Sequence, residues 1–89
     1  MIYKIEFFTT AIKQLRELDK MSRQRILTYL DRVVLRLDNP RDAGIALKGN
    51  LNGLWRYRVG DYRIICEIHD DKFLVCVVRI GHRRSIYER

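Results

Sequence analysis

Three arginines, Arg56, Arg58 and Arg63, lie close together in the stretch Trp55-Arg-Tyr-Arg-Val-Gly-Asp-Tyr-Arg-Ile-Ile-Cys66. Residue types alternate on both sides of Gly60-Asp61, and glycine in the first central position is what a two-residue type II′ hairpin turn requires. That turn pairs Val59 with Tyr62, Arg58 with Arg63, Tyr57 with Ile64 and Arg56 with Ile65. The predicted hairpin then has two unlike faces. One carries Trp55, Tyr57, Val59, Tyr62, Ile64 and Cys66; the other carries the three arginines. Arg58 directly opposite Arg63 destabilises an isolated sheet, because like charges across a strand pair repel. The arrangement suits an anion lying over the pair, and phosphate in particular, which a guanidinium fork grips with two parallel hydrogen bonds.

Two further basic groups accompany the hairpin. The chain closes with Gly81-His82-Arg83-Arg84-Ser85-Ile86-Tyr87, placing a histidine, two arginines and a tyrosine just where a strand ends. Arg25, Arg32 and Arg36 recur at helical spacing about 120° from an apolar stripe. That row is either a second RNA-touching surface or the solvated face of a helix.

Composition agrees with an anionic partner. The 89 residues carry 18 Lys and Arg against 11 Asp and Glu, a net charge of +7, and thirteen of the 18 are arginine. An apolar fraction of 47% argues against disorder, and the length allows one small domain, residues 1–89. Cys66 and Cys76 fall on opposite faces of a predicted hairpin, so they read as reduced, buried thiols. The N-terminus has charges where a signal peptide needs an apolar core, and no run approaches transmembrane length, so the expected compartment is the cytoplasm with no membrane contact. Two distant histidines without chelating spacing predict no metal site, and the glycines at 44, 49 and 53 match no nucleotide-binding fingerprint, so no cofactor is expected.

The elements that must position these residues follow from periodicity. Tyr3, Ile5 and Phe7 alternate with Lys4 and Glu6 as in a half-buried strand. Thr9 or Thr10 can cap a helix to about Asp19 with Ala11, Leu15 and Leu18 buried. Ser22 can cap a second, antiparallel helix to about Asp38, through Ile26, Leu30, Val33, Val34 and Leu37, before Asn39-Pro40 stops it. Residues 41–54 read as a loop with a helical turn. After the arginine hairpin, Asp70-Asp71 turns the chain into a last strand from Phe73 to Ile80, pairing Ile68 with Phe73, Cys66 with Val75 and Ile64 with Val77. Alternation would then send Arg79 into the core and Ile80 out, which predicts a bulge or bend at the strand end near Gly81. The result is an α+β fold of order β-α-α-β-β-β: two antiparallel N-terminal helices on one face of a mainly antiparallel four-stranded sheet.

That order, the Trp55-to-Ile65 stretch and Ile80-Gly-His-Arg-Arg-Ser-Ile-Tyr87 together resemble the RelE/ParE superfamily of toxins, on the RelE side. The resemblance implies a toxin of a type II toxin–antitoxin system that enters the ribosomal A site and cuts mRNA. The 2′-hydroxyl attacks the adjacent phosphate, leaving a 2′,3′-cyclic phosphate and a 5′-hydroxyl. It further implies that Arg58, Arg63, Arg83 and Tyr87 are catalytic and that Arg56 binds RNA; His82 is added as a catalytic candidate by its residue type, and Arg84 with the Arg25, Arg32 and Arg36 row as RNA-binding candidates by charge. Arg56 and Arg58 stand where a well-characterised member has lysine; arginine is a poor general base because it stays protonated, which directs attention to His82 for proton transfer. The implied partners are the ribosome, mRNA and a cognate acidic antitoxin. Two alternatives share the fold: a ParE-like inhibitor of DNA gyrase, and a non-catalytic relative that only binds RNA.

Overall fold

The computed structural model describes residues 2–82. Strand β1, Lys4–Phe7, is followed by helices α1, Thr9–Glu17, and α2, Lys20–Arg32. Then come β2, Ile45–Ala46, β3, Trp55–Val59, β4, Tyr62–His69, and β5, Leu74–His82. The sheet has the order β1-β5-β4-β3-β2. All neighbours are antiparallel except β1 and β5, which run parallel in register Lys4↔Leu74 to Phe7↔Val77.

Both helices lie on one face of this sheet. Ala11 of α1 and Ile26 and Leu30 of α2 pack with Tyr57, Val59, Ile64, Cys66, Val75, Val77 and Ile80, while Leu15 and Leu18 flank the cluster. Tyr3 joins this core, and Ile5 and Phe7 of β1 pack against it, as alternation along β1 requires. Tyr57 is fully buried and satisfies its hydroxyl by donating to the Pro40 carbonyl at 2.6 Å.

The helix termini differ from the expected ones. Phe8 occupies the cap position of α1 with no side-chain cap, and α2 starts before Ser22. Asp19 is its cap, accepting from the Ser22 N–H at 3.0 Å, and a carboxylate there also suits the positive end of the helix dipole. α2 stops at Arg32, where the β-branched pair Val33-Val34 leads into a 3₁₀ turn over Val34–Arg36; Val34 stays buried but Val33 faces outward.

A fifth strand, short and at the edge, lies in the glycine-containing stretch read as loop. Ile45 pairs with Arg56 and Ala46 with Trp55, and the Trp55 indole donates to the Ala43 carbonyl at 2.8 Å. Gly44 makes this approach possible: its φ is +78°, and a Cβ there would lie 2.4 Å from the Arg56 carbonyl oxygen and 2.6 Å from the Trp55 indole nitrogen.

The β3–β4 hairpin has the predicted register throughout, from Trp55↔Cys66 to Val59↔Tyr62, with Gly60 at φ +58°. The β4–β5 pair is displaced by two residues from the expected pairing, giving Ile68↔Val75 and Cys66↔Val77. A 3₁₀ turn over Asp70–Lys72 and a left-handed Phe73, φ 49°, move the loop one residue along the chain. Phe73 therefore leaves the sheet core and packs edge-on against Tyr3. Because strand side chains repeat every two residues, the slide leaves Val75, Val77 and Cys66 on the core face. The two cysteines are free and buried, Cys66 within the core and Cys76 paired with Glu67 on the other face.

Strand β5 carries a bulge opposite the Ile65–Cys66 step of β4: Cys66 pairs with Val77, but Ile65 pairs with Arg79, so Val78 is the extra residue. It sits three positions before the expected site near Gly81. The one-residue insertion reverses every later side chain of β5. Ile80 enters the core at 2% exposure, and Arg79 emerges on the face opposite the helices.

Candidate nucleic-acid interface on the open face of the sheet

Across the face away from the helices, the register sets the arginines in two transverse rows. The outer row, nearest the β3–β4 turn, is Arg58–Arg63–Gly81; the inner is Arg56–Ile65–Arg79. Neighbouring strands are about 4.8 Å apart, and two residues along a strand span about 6.7 Å, so four guanidinium-bearing positions share a compact patch. Arg79 belongs to this patch although the sequence reading did not place it there. Its clue was an arginine in core phase, but nothing in the local residue types located the bulge.

Arg63 anchors the outer row. It is only 8% exposed, and its Nη1 donates to the Gly60 and Tyr62 carbonyls, both at 3.2 Å, which ties the guanidinium to its own turn. Two backbone bonds do not exhaust the five N–H donors of the group. Arg58, directly across, is exposed. Gly81, the other neighbour, adds no side chain beside Arg63. Among the described residues neither Arg58 nor Arg63 forms an ion pair. In the inner row, Ile65 is 2% exposed between the two arginine positions and provides an apolar floor.

The patch ends on an acidic row. Glu6, Cys76 and Glu67 are successive partners across β1, β5 and β4. Burial raises the Cys76 thiol above its ordinary value, and the Glu67 and Glu6 carboxylates raise it further, which keeps it a protonated, unreactive thiol. Glu67 also meets the His69 ring, Oε1 to Nε2, at 2.9 Å.

The remaining predicted site residues lie elsewhere or beyond the described chain. His82 pairs with Tyr62 and meets its ring edge-on, centroids 6.0 Å apart, which puts it at the same end of the sheet but on the helix side. Arg25, Arg32 and Arg36 are exposed on the helix layer. Only Arg25 approaches the hairpin: its guanidinium atoms lie 3.3–3.6 Å from where a Cβ on Gly60 would stand. Gly60 is thus flanked by Arg25 on one side and bonded by Arg63 on the other. Arg83, Arg84 and Tyr87 lie outside the described residues. Among the described residues, no three His, Cys, Asp or Glu side chains gather as a metal site, and no helix is long and apolar enough to cross a membrane.

Residues 5–87 match the family model of the ParE toxin of type II toxin–antitoxin systems, parDE. The chain belongs to the RelE/ParE toxin superfamily. Within it this toxin is of the RelE kind: it is 31% identical to toxin RelG of Mycobacterium tuberculosis over 93 residues, spanning 100% of both chains. It is 28% identical to toxin RelE of the same organism, covering 96% of this chain and 86% of that one. Its fold superposes on a chain of the RelBE2 toxin–antitoxin complex of M. tuberculosis with a TM-score of 0.84 at 28% identity, covering 93% of this toxin and 100% of that chain. The archaeal RelE–RelB complex of Pyrococcus horikoshii matches with a TM-score of 0.72 at 25% identity, over 96% and 99%.

Proposed function

We propose that this toxin is an endoribonuclease that cuts mRNA on the ribosome by attack of a ribose 2′-hydroxyl on the neighbouring phosphodiester. The observation that carries the reading is the Arg58–Arg63 pair, two like charges held face to face on an open sheet, with Arg63 buried and fixed by backbone carbonyls. Like charges directly opposite cost a sheet stability, and an anion bound over them would offset that cost.

As the 2′-oxygen attacks, the phosphorus becomes pentacoordinate and its non-bridging oxygens gain negative charge. Guanidinium groups already oriented toward that position stabilise the charge more than they stabilise the bound substrate, which is the condition for lowering the barrier. Arg63, held in one orientation, supplies the preorganised donor, and Arg58 supplies a second fork from the facing strand. In this reading Arg83 and Tyr87 complete the constellation: Arg83 adds positive charge and Tyr87 stacks an unpaired base. His82, the sequence candidate for proton transfer, has its ring on the helix side of the sheet against Tyr62, so it does not face the arginine pair and takes no step in this reading. Arg56 and Arg84 hold flanking backbone, and Arg25, Arg32 and Arg36 present charge from the helix layer toward structured RNA.

A toxin of this family also needs a protein that silences it. We assign that role to an acidic antitoxin, as the RelB partners in the related complexes suggest. A groove of about 490 Å³ lined by Met21, Gln24, Arg25, Thr28, Tyr29 and Val59 combines apolar surface with a cation, and charge complementarity there gives fast, salt-sensitive association.

One observation favours a second reading, inhibition of DNA gyrase: the matching family model is named for ParE. The two separate cleanly. Primer extension on mRNA from cells expressing the toxin should show codon-phased cuts that disappear with Arg63→Ala. Intact mRNA together with inhibited supercoiling by purified gyrase would overturn the nuclease reading in favour of the second.

A further inference from the structure

The bulge at Val78 has a specific product: it takes an arginine that regular alternation would send into the core and sets it beside Ile65, across from Arg56. Bulges concentrate beside active sites because they re-aim a side chain. We propose that Arg79 and Arg56 form a second phosphate subsite on the open face, one row from Arg58 and Arg63, and that Glu6 and Glu67 end the path of the bound strand.

The inference rests on the RNA reading and extends it from one phosphate to two. The rows lie about 6.7 Å apart along the strands, close to the separation of neighbouring phosphates in an extended single strand. Arg56 and Arg79 stand two interstrand steps apart, about 9.6 Å between backbones, a gap that two long side chains can close on a phosphate from opposite sides. Ile65 lies between them at 2% exposure, and an apolar floor lowers the effective dielectric and strengthens each contact. The next row along is Glu67–Cys76–Glu6, whose two carboxylates repel a third phosphate. The face therefore has a direction: two cationic rows, then an anionic one.

The test is binding of a fluorescein-labelled single-stranded oligoribonucleotide to the full chain across a NaCl series, with each variant's thermal melt run alongside. Each phosphate neutralised on a single strand contributes about 0.7 to the slope of log affinity against log salt. Arg79→Gln should weaken binding about five- to tenfold at low salt and flatten the slope by about 0.7, whereas Arg79→Lys, which keeps the charge, should retain the slope. An unchanged slope in Arg79→Gln overturns the subsite. So does an equal loss of slope in Arg79→Lys, since charge is then not the variable. Glu6→Gln/Glu67→Gln should tighten binding several-fold to an oligonucleotide but not to a dinucleotide, and equal affinity to wild type overturns the boundary. Cleavage in expressing cells decides the parent reading separately: a chain that cuts mRNA while Arg79→Gln keeps its slope loses only the subsite. A chain that cuts nothing but shows the slope change loses only the nuclease. No binding by the unaltered chain at any salt overturns the subsite together with the RNA reading.

Discussion

Arginine does two opposite jobs in this molecule. Arg41 donates to the Asp70 carboxylate at 2.8 Å, and the Tyr3 hydroxyl donates to the same oxygen at 2.6 Å, joining the 3₁₀ turn Pro40–Asp42 to the turn after β4 and to the segment before β1. Its charge is answered inside the fold. On the open face, Arg58 and Arg63 are directly opposed, and no carboxylate among the described residues pairs with either. In the proposed function their charge is answered by a phosphate from outside. An arginine supplied with its own acid stabilises the chain, whereas one set directly against another arginine costs the sheet stability.

The sharpest way to break that comparison is Arg63→Ala. If the group stabilises developing charge, its loss should lower mRNA cleavage by about 10²–10³-fold, the usual effect of removing one preorganised donor. Cleavage on isolated ribosomes, measured beside the thermal melt, checks this. A cleavage loss no larger than the loss of folded protein would mean that Arg63 merely holds its turn.

Gly44→Ala should produce the largest change in stability. The added Cβ would stand 2.4 Å from the Arg56 carbonyl at a φ of +78°, so β2 must leave β3 or the Arg56 backbone must shift. Incompatible Gly→Ala changes cost more than about 1 kcal/mol, and at this chain length 1 kcal/mol corresponds to about 4–8 °C in Tm. A melt unchanged within 1–2 °C, on that same scale, would show that β2 adds nothing to the sheet that carries Arg56.

How much of this could be read from the residues depends on whether the signal is local. The β3–β4 hairpin was legible pair by pair, because Gly60 fixes the turn and alternation fixes the faces. The β4–β5 register slid by two because Asp70-Asp71 was read as the turn, whereas Phe73 takes the left-handed position that usually goes to glycine or asparagine. The slide kept Cys66, Val75 and Val77 on the core face but took Phe73, expected there opposite Ile68, out of the core. Arg79 was recognised as misplaced, but the bulge depends on how β5 packs against β4 and the helices, which is tertiary information. β2 was missed for a similar reason: two residues carry no period, and Gly44 acquires its meaning only from the Trp55 and Arg56 atoms beside it.

A smaller effect sharpens the contrast from the other side. Arg58→Ala removes one member of the opposed pair and should cut cleavage at least tenfold while leaving Tm unchanged or raising it. Cross-strand pairs contribute roughly 0.2–1 kcal/mol, and here the sign is repulsive. A variant that loses both stability and activity would show that Arg58 is satisfied within the fold after all.

The smallest effect belongs to the clip, and it carries a pH signature. The Arg41 guanidinium, and after it the Tyr3 hydroxyl, hold the Asp70 carboxyl below its ordinary range. A depressed carboxyl contributes stability that is present above the unfolded value, about 3.9, and is lost as pH falls through the lower folded value. Tyr3 is raised, chiefly by its bond to Asp70, so its contribution is complete below the ordinary tyrosine value, about 10, and disappears as pH rises through the folded one. Asp70→Asn should therefore lower Tm by a few degrees between these limits, and its melt should converge on that of wild type in strong acid. Cleavage per folded molecule at neutral pH should be unaltered, because the clip joins turns and touches none of the open-face arginines. If Asp70→Asn depressed cleavage as far as Arg63→Ala does, the two arginine regions would be one system, and the division of labour between an internally paired cation and an externally paired one would fail.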